Sequence, residues 1–242
     1  MKQILRLVII VLFITLVYFI FVQCTLESFE NIANKIDVIY YINLDHRVDR
    51  KKEIIKEIGK LNYPEEKIVR IPAVYKKEKG HLGCSMSHIK ALKKFIESGH
   101  NNCIIFEDDF EFSQGETDIE KAFNNFFNLG IDYDVVMLSA NEHDVGNTNY
   151  DFLKKVKMAL TTAGYMVNKK FAKTLLKNFE EGCILLEESY NNKENSYNGI
   201  YAVDQYWISL QEKNNWFMFY PKLGKQRASY SDIMSGNVNY NV

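Results

Sequence analysis

Cysteine, histidine and concentrated positive charge are all scarce in this chain. Its four cysteines form no CxxC pair, so the sequence indicates neither a zinc site nor a disulfide framework. Its five histidines show no HxH or HExxH spacing, which disfavours metal sites built on histidine pairs. The 30 Lys and Arg residues are scattered among 31 Asp and Glu residues, with a formal net charge of -1, so no nucleic-acid-binding surface is expected.

The composition predicts one main folded domain. Of the 242 residues, 47% are hydrophobic and 14% are aromatic, which is enough to bury a substantial core. We expect a membrane anchor at residues 1–24, a short tether at 25–35 and the folded domain at 36–242.

The longest apolar run lies at the amino terminus. Only Arg6 and Thr15 interrupt it across residues 4–22, and a helix of this length rises roughly 28 Å, about the thickness of the hydrocarbon layer. A cleaved signal peptide is the alternative, although no small-x-small site precedes Cys24. The basic residues Lys2 and Arg6 lie on the amino side of the span, whereas Glu27 and Glu30 follow it. This charge distribution predicts a single-pass protein with a cytoplasmic amino terminus and a lumenal body.

Strand-like and helix-like segments alternate along the rest of the chain. Strands are predicted at 37–44, 68–74, 103–107, 134–139, 160–167 and 216–220. Helices are predicted around Val48 to Ile58 and at 84–97, 117–128, 168–180 and 203–213. Alternation of this kind predicts an α/β sheet covered by helices on both faces. The polar segment 187–199 is expected to be a surface loop, with a lid as the alternative.

An acidic triplet follows one of these strands directly. Glu107, Asp108 and Asp109 come after the apolar run 103–106, and three adjacent carboxylates resist burial unless positive charge lies among them. Side chains two apart on a strand share a face, so Glu107 and Asp109 are suited to hold one divalent cation, which in turn can bind a diphosphate. A solvated acidic turn is the alternative interpretation.

A second polar group follows the first predicted strand. Ligands of open α/β sheets collect outside the carboxyl ends of the strands, where Asn43, Arg47 and Arg50 are placed. The planar guanidinium groups and the amide are suited to contact a base, a ribose or a phosphate. An ordinary solvated helix face is the alternative for the two arginines.

Six motifs together resemble the pattern of glycosyltransferase family 25, the family of lipopolysaccharide and procollagen galactosyltransferases. They are similar to it in order and approximate spacing. They comprise residues 41–50, 80–88, 104–109, 163–167, 203–204 and the segment from Pro221 through Gln226 to 231–233.

The resemblance implies a GT-A-type fold, in which a Rossmann-like mixed sheet is flanked by helices. It implies a UDP-sugar donor, commonly UDP-galactose, and inversion at the anomeric carbon, with 36–242 as the catalytic domain. The acceptor would be a hydroxyl of a glycan, a lipid-linked saccharide or a protein. Mn²⁺ or Mg²⁺ would be held by Glu107 and Asp109, with Asp108 turned toward the sugar or the ribose.

Three further residues receive roles through the resemblance. His88 matches a motif and is expected in the site, although a lone histidine beside an apolar stripe is often a packing residue. Asp204 is the leading candidate for the base that accepts the acceptor proton, with a helix N-cap as its alternative role and Glu142 and Asp144 as weaker candidates for the base. Gln226, with Ser231 and Asp232, matches the terminal motif and is expected to close over the donor or the acceptor.

Two other functions stay open at this stage. A metal-dependent phosphoesterase would use the same carboxylates but would need further ligands. A noncatalytic membrane-tethered module that binds a sugar or nucleotide would keep the cleft without turnover. A lumenal transferase domain fits the Golgi or endoplasmic reticulum of a eukaryotic or viral setting, where nucleotide sugars are supplied.

Overall fold

The computed structural model describes residues 10–19, 32–192, 199–231 and 236–238. The strands are β1 (Val38–Asn43), β2 (Ile68–Pro72), β3 (Asn102–Glu107), β4 (Phe110–Phe112), β5 (Val135–Met137), β6 (Asn141–Asn147), β7 (Leu153–Leu160), β8 (Gly164–Asn168), β9 (Trp216–Phe219), β10 (Gly224–Gln226), β11 (Ser229–Ser231) and β12 (Gly236–Val238). From residue 48 onward, the helices are α1 (Val48–Gly59), α2 (Gly80–Ser98), α3 (Glu116–Asn128), α4 (Lys169–Asn191), α5 (Val203–Tyr206) and α6 (Ile208–Gln211).

Eight strands form one mixed sheet in the order β2-β1-β3-β8-β5-β9-β7-β6. The strand β1 runs parallel to β2 and β3, whereas β8 runs antiparallel to β3 and β5. The parallel register aligns Asn43 with Pro72 and Ile42 with Glu107. The carboxyl ends of β1, β2 and β3 therefore meet at one edge of the sheet.

Helices cover both faces of this sheet, as the alternation predicted. One apolar layer packs Ile39 and Tyr41 of β1 with residues of α1 and α3. The opposite layer packs Tyr40 of the same strand with residues of α2 and α4. Successive side chains of a strand point to opposite faces, so this central strand contributes to both layers and its burial is continuous.

A smaller two-stranded sheet lies beside the carboxyl edge. The strands β4 and β10 pair antiparallel, with Gln226 opposite Phe110. A Cβ atom on Gly224 would lie 2.2 Å from Cζ of Phe110, so this close crossing requires glycine. The crossing carries Gln226 next to the acidic triplet, although the two are far apart in sequence.

The predicted strand at 160–167 was wrong in its continuity. Leu160 ends β7 and Gly164 begins β8, and Thr161 between them has φ 74°, a left-handed backbone that interrupts an extended strand. The strands β4, β6, β7, β10, β11 and β12 were not predicted. The edge strand β6 is mostly polar and exposed, so it lacks the apolar alternation on which a strand prediction depends.

Two predicted boundaries in the second half were also wrong. Residues 187–191 of the expected loop continue α4, because the buried positions Phe179, Gly182 and Leu186 keep helical spacing against the core. Residues 193–198 of that loop lie outside the described residues. The helix expected at 203–213 is instead the pair α5 and α6, with Trp207 between them.

The predicted membrane span is described only at residues 10–19. These residues are helical and carry exposed apolar side chains, for example Phe13 at 65%. Within the described parts of the chain, no helix combines the length and the apolar character needed to cross a bilayer. The rest of the 4–22 span lies outside the described residues, so the anchor and its topology stay predictions.

Candidate active site

The carboxyl ends of β1, β2 and β3 open into a cleft with about 730 Å³ of empty space, which we call the first cleft. It lies where the sequence placed the ligand site. Seven of the predicted site residues line it, namely Asn43, Arg50, His88, Glu107, Asp108, Asp109 and Gln226.

Asp108 is held by two donors from the β1–α1 region. Its Oδ2 accepts a 2.7 Å hydrogen bond from Nδ2 of Asn43, and its Oδ1 lies 2.9 Å from Nη1 of Arg50. Burial raises the pKa of Asp108 even though both partners favour its ionised form. Its predicted contact with the sugar or the ribose stays a prediction.

Arg70 fixes Asn43 from the neighbouring strand and was not predicted as a site residue. Nη2 of Arg70 donates to the carbonyl of Asn43 at 2.9 Å and its Nε donates to Oδ1 of Asn43 at 3.2 Å. Because Oδ1 is the acceptor here, the Nδ2 group of Asn43 is directed to Asp108. Only the parallel pairing of β1 with β2 reveals this role.

Asp109 has one carboxylate oxygen with hydrogen-bond partners and one without, and its pKa is raised. Its Oδ2 accepts from Nη1 of Arg50 at 3.3 Å and from Nε2 of Gln226 at 3.1 Å. Its Oδ1 is buried and has no hydrogen-bond partner among the described residues. Burial, together with the charge of Glu107, raises the pKa of Asp109 to about 7.

Glu107 has a different set of partners. Its Oε1 accepts a 2.6 Å hydrogen bond from the Thr162 hydroxyl and lies 3.2 Å from Nε2 of His88. Burial alone would raise the pKa of Glu107, but His88, Thr162 and the charge of Arg50 hold that pKa below its usual value. Glu107 is therefore a partly buried carboxylate whose ionised form is favoured.

His88 connects Glu107 to the opposite layer of the protein. Its side chain is completely buried, and its Nδ1 lies 3.0 Å from the Tyr165 hydroxyl. If Tyr165 donates to Nδ1, then Nε2 carries the proton and donates to Glu107. His88 thus lies in the site and orients Glu107, while Tyr165 and Thr162 are site residues that the sequence analysis did not identify individually.

The two predicted arginines are placed differently. Arg50 lines the first cleft and pairs with Asp108 and Asp109, so its charge is directed at protein carboxylates. Arg47 is the N-cap residue of α1, and its Nη2 pairs with the exposed Asp49 at 2.8 Å. Arg47 is not among the residues that line the first cleft, and its contact with a nucleotide stays a prediction.

A second cleft, with about 940 Å³ of empty space, adjoins the first. Both clefts are lined by Glu107, Cys84 and Gln226, so they meet at the acidic triplet. Asp204 and Thr161 line the second cleft but not the first. A donor in the first cleft and an acceptor in the second would meet at Glu107.

Asp204 faces this second cleft and does not cap a helix. The N-cap of α5 is Ala202, and Oδ2 of Asp204 accepts from the backbone N–H of Thr161 at 3.3 Å. Burial, followed by the charge of Glu107, raises the pKa of Asp204. A carboxylate of raised basicity beside this second cleft is suited to take a proton.

The remaining candidates lie elsewhere. Glu142 and Asp144 stand on the edge strand β6, with Asp144 58% exposed, and neither lines the two clefts. The side chain of Ser231 is not described, and Asp232 lies outside the described residues. Their predicted roles are therefore not tested by the structure.

Two groups of side chains in this site have the chemistry of metal ligands. The carboxylates Glu107 and Asp109 offer hard oxygen atoms, and the buried Oδ1 of Asp109 has no described partner, which fits a hard cation. Cys84, His88 and Glu107 also offer ligand atoms within 4.8 Å of one another. Burial raises the pKa of the Cys84 thiol well above its usual value, so this sulfur is a poor ligand for Mn²⁺ or Mg²⁺.

Comparisons with solved structures return distant similarities. The A197 protein from STIV is 14% identical with a TM-score of 0.38, covering 75% of this chain and 80% of that chain. A glycosyltransferase involved in glycosylation of the major capsid of PBCV-1 is 12% identical with a TM-score of 0.43, covering 82% and 95%. Mannose-1-phosphate geranyltransferase from Thermus thermophilus is 8% identical with a TM-score of 0.45, covering 81% and 75%. No curated protein matches the sequence.

A family match covers the centre of the chain. Residues 73–190 match the family described as glycosyltransferase family 25 (LPS biosynthesis protein). The matched range contains the acidic triplet, His88 and Thr162, which the structure brings together at the junction of the two clefts. The resemblance of the sequence motifs to glycosyltransferase family 25 is therefore supported by a family match over residues 73–190.

Proposed function

We propose that this protein transfers a sugar, with galactose as the leading candidate, from a UDP-sugar to a hydroxyl of a glycan, a lipid-linked saccharide or a protein. The transfer inverts the anomeric carbon and depends on a divalent metal. The observation that carries the proposal is the acidic triplet at the junction of the two clefts, in which Asp108 and Asp109 are buried and Glu107 is partly buried. Arg50 is hydrogen-bonded to Asp108 and Asp109.

The metal is Mn²⁺ or Mg²⁺, held by Glu107 and Asp109. Three carboxylates with one paired guanidinium leave net negative charge in a buried place, which a divalent cation offsets. The metal supplies positive charge that stabilises the departing UDP. Arg50 and Gln226 hold Asp109, while His88 and Thr162 hold Glu107, so the ligands are oriented before the donor binds.

The proton of the acceptor is taken by Asp204. As the acceptor oxygen bonds to the anomeric carbon, its proton passes to the carboxylate of Asp204, and the bond from that carbon to the UDP oxygen breaks. The bonding electrons leave with UDP, so charge and atoms balance. The raised pKa of Asp204 makes its ionised form a stronger base than an exposed aspartate.

A donor screen tests this function directly. UDP release is measured with Mn²⁺ for galactose, glucose, N-acetylglucosamine and glucuronic acid donors, with and without a panel of glycan acceptors, and calorimetry measures UDP binding with and without Mn²⁺. We expect metal-dependent UDP binding and acceptor-dependent release from one donor. UDP release at the same rate with and without acceptor would favour a phosphoesterase. UDP binding without UDP release from any donor would favour a noncatalytic module. A protein that does not bind UDP would contradict the proposed donor.

Replacing Thr162 with Val is expected to weaken Mn²⁺ binding in the presence of UDP by about 10- to 100-fold. The change removes the hydroxyl that donates to Glu107 at 2.6 Å, and losses of this size are typical when a partner of a metal ligand is removed. Calorimetry with Mn²⁺ provides the measurement. Thr148→Val is the matched control, because its hydroxyl bonds backbone carbonyls away from both clefts, and equal affinities in the two variants would contradict the role of Thr162.

Replacing Cys84 with Ser is expected to leave Mn²⁺-dependent turnover within about twofold of the unmodified protein. A neutral thiol contributes little to binding a hard cation. Turnover is measured over a Mn²⁺ titration. A large increase in the Mn²⁺ concentration needed for half activity would show instead that the cation sits among Cys84, His88 and Glu107.

The predicted anchor places this reaction in the lumen of a membrane compartment. That location is part of the proposal and rests on the apolar run at residues 4–22 together with the basic residues beside it.

A further inference from the structure

We propose that the segment Ala73–Lys76 is the wall of the first cleft that binds the donor nucleoside diphosphate, with Tyr75 stacking on the base and Lys76 pairing with the diphosphate. This inference rests on the proposed function and names residues that the family motifs above do not include. The segment follows β2 directly, and all four of its residues line the cleft that holds the acidic triplet.

The segment is anchored at both of its first two residues. The backbone N–H of Ala73 donates to the carbonyl of Asn43 at 3.0 Å, so the pairing of β1 with β2 extends into the segment. The backbone N–H of Val74 donates to Oγ of Ser87 at 2.8 Å. The Ser87 hydroxyl in turn donates to the carbonyl of Gly83 at 2.6 Å, which fixes its orientation on α2.

Gly83 allows this segment to rest directly on α2. A Cβ atom at Gly83 would lie 2.4 Å from the carbonyl oxygen of Val74 and 3.5 Å from Cβ of Lys76. The first distance is too short for any side chain, since the neighbouring atom belongs to the backbone. Gly83 and Ser87 therefore act as positioning residues for the wall, which gives a physical reason for glycine and serine in the segment 80–88.

Charge in the first cleft favours a role for Lys76. One arginine, Arg50, and one lysine, Lys76, are among the described residues that line it. Arg50 pairs with Asp108 and Asp109. A diphosphate entering beside three carboxylates needs positive charge in addition to the metal. The flexible ammonium group of lysine is suited to a phosphate that lacks one fixed orientation.

Tyr75 has the properties of a base platform. Its side chain is 58% exposed although it is a large aromatic, and its ring lies 5.6 Å from the His46 ring at an interplanar angle of 82°. An edge-on neighbour restricts the orientation of the tyrosine ring. An aromatic ring at the rim of a cleft that binds a nucleotide provides a surface on which a base stacks.

The test compares UDP with uridine, because only UDP carries the diphosphate. Calorimetry with Mn²⁺ measures both ligands on the full chain. Lys76→Met is expected to weaken UDP binding about tenfold and to leave uridine binding unchanged. Tyr75→Ala is expected to weaken both ligands by about tenfold or more, since base stacking is common to them.

Lys77→Met is the matched control, because Lys77 is exposed on the same segment and does not line the cleft. It is expected to bind both ligands normally. A Lys76→Met protein that loses UDP and uridine affinity equally, or loses neither, would overturn the diphosphate assignment. Unchanged binding in Tyr75→Ala would overturn the base assignment. Failure of the unmodified protein to bind UDP would instead overturn the proposed function.

The positioning role has its own variants. Gly83→Ala is expected to weaken UDP binding at least tenfold, because the added Cβ atom would push the backbone of Val74 away from α2. The substitution changes no charge and no group that touches the nucleotide. Ser87→Ala, which removes the hydrogen bond to Val74, is the second variant in case Gly83→Ala does not fold. If a folded variant binds UDP as tightly as the unmodified protein does, Gly83 and Ser87 do not position the segment for nucleotide binding.

Discussion

Asp109→Asn is expected to lower metal-dependent sugar transfer by about 10³-fold while the metal-free protein stays at least as stable. A metal ion that stabilises a leaving group contributes several kcal/mol, and about 4 kcal/mol corresponds to this factor. An asparagine oxygen carries no full charge and holds a divalent cation weakly. Steady-state UDP release with Mn²⁺ measures the loss.

The stability of the same variant has a defined pH dependence. Burial and the charge of Glu107 raise the pKa of Asp109 to about 7 in the fold, whereas the pKa in an unfolded chain is about 3.9. The native state therefore holds the proton more tightly, and without metal the stability falls as pH rises from about 4 to about 7. Asp109→Asn removes this penalty, so its advantage in melting temperature is greatest near pH 8 and fades toward pH 5.

Adding Mn²⁺ is expected to reverse the order of the melting temperatures of the unmodified protein and Asp109→Asn. Mn²⁺ binds the ionised carboxylates of the native state, so it is expected to raise the melting temperature of the unmodified protein but not that of Asp109→Asn. Asp151→Asn, at an exposed turn residue, is the control and is expected to respond as the unmodified protein does. Normal transfer by Asp109→Asn, or a variant that melts lower than the unmodified protein at pH 8 without metal, would contradict the assignment.

Asp204→Ala is expected to slow transfer to the acceptor by about 10²- to 10⁴-fold, the usual contribution of a general base. UDP affinity should not change, because Asp204 lines the second cleft and not the first. Transfer is measured with the donor and acceptor found in the screen, and UDP affinity by calorimetry. This separation between turnover and donor binding distinguishes a base from a donor ligand.

The pH profile adds an independent check on Asp204. Transfer requires the ionised carboxylate, and burial raises its pKa, so the rate should rise with pH through a value above that of an ordinary aspartate. Asp144→Asn, at the exposed residue that was the weaker candidate, is expected to keep both the rate and the profile. If Asp204→Ala transfers at the normal rate, or if Asp144→Asn abolishes transfer, the base is a different residue.

Much of the architecture follows from local pattern. Continuous apolar runs at β1 and β3 and the 3.6-residue periodicity of α1, α2 and α3 predicted these elements and the helices on both faces. Gly99 follows the last residue of α2 with φ 76°, a backbone that favours glycine. Such elements are predictable because the spacing of apolar residues within one segment of sequence reflects which of its side chains are buried.

The missed strands lack such a pattern. The strand β6 is mostly polar and the strand β4 has only three residues. Each therefore exists because a partner strand satisfies its backbone groups and not because of its own periodicity. In the same way, α4 continues to Asn191 because it packs on α2, whereas its polar composition resembled a loop. Tertiary contacts overrode local propensity in these places.

The sequence alone determined the order of the elements, the position of the acidic triplet at a strand end and the set of motifs that resemble glycosyltransferase family 25. Only the tertiary structure decided which partners each carboxylate has. Gln226 reaches Asp109 across 117 residues of chain and Thr162 reaches Glu107 across 55. A linear pattern records how one segment is buried, but contacts between distant segments depend on strand order, register and the close approaches that Gly83 and Gly224 allow.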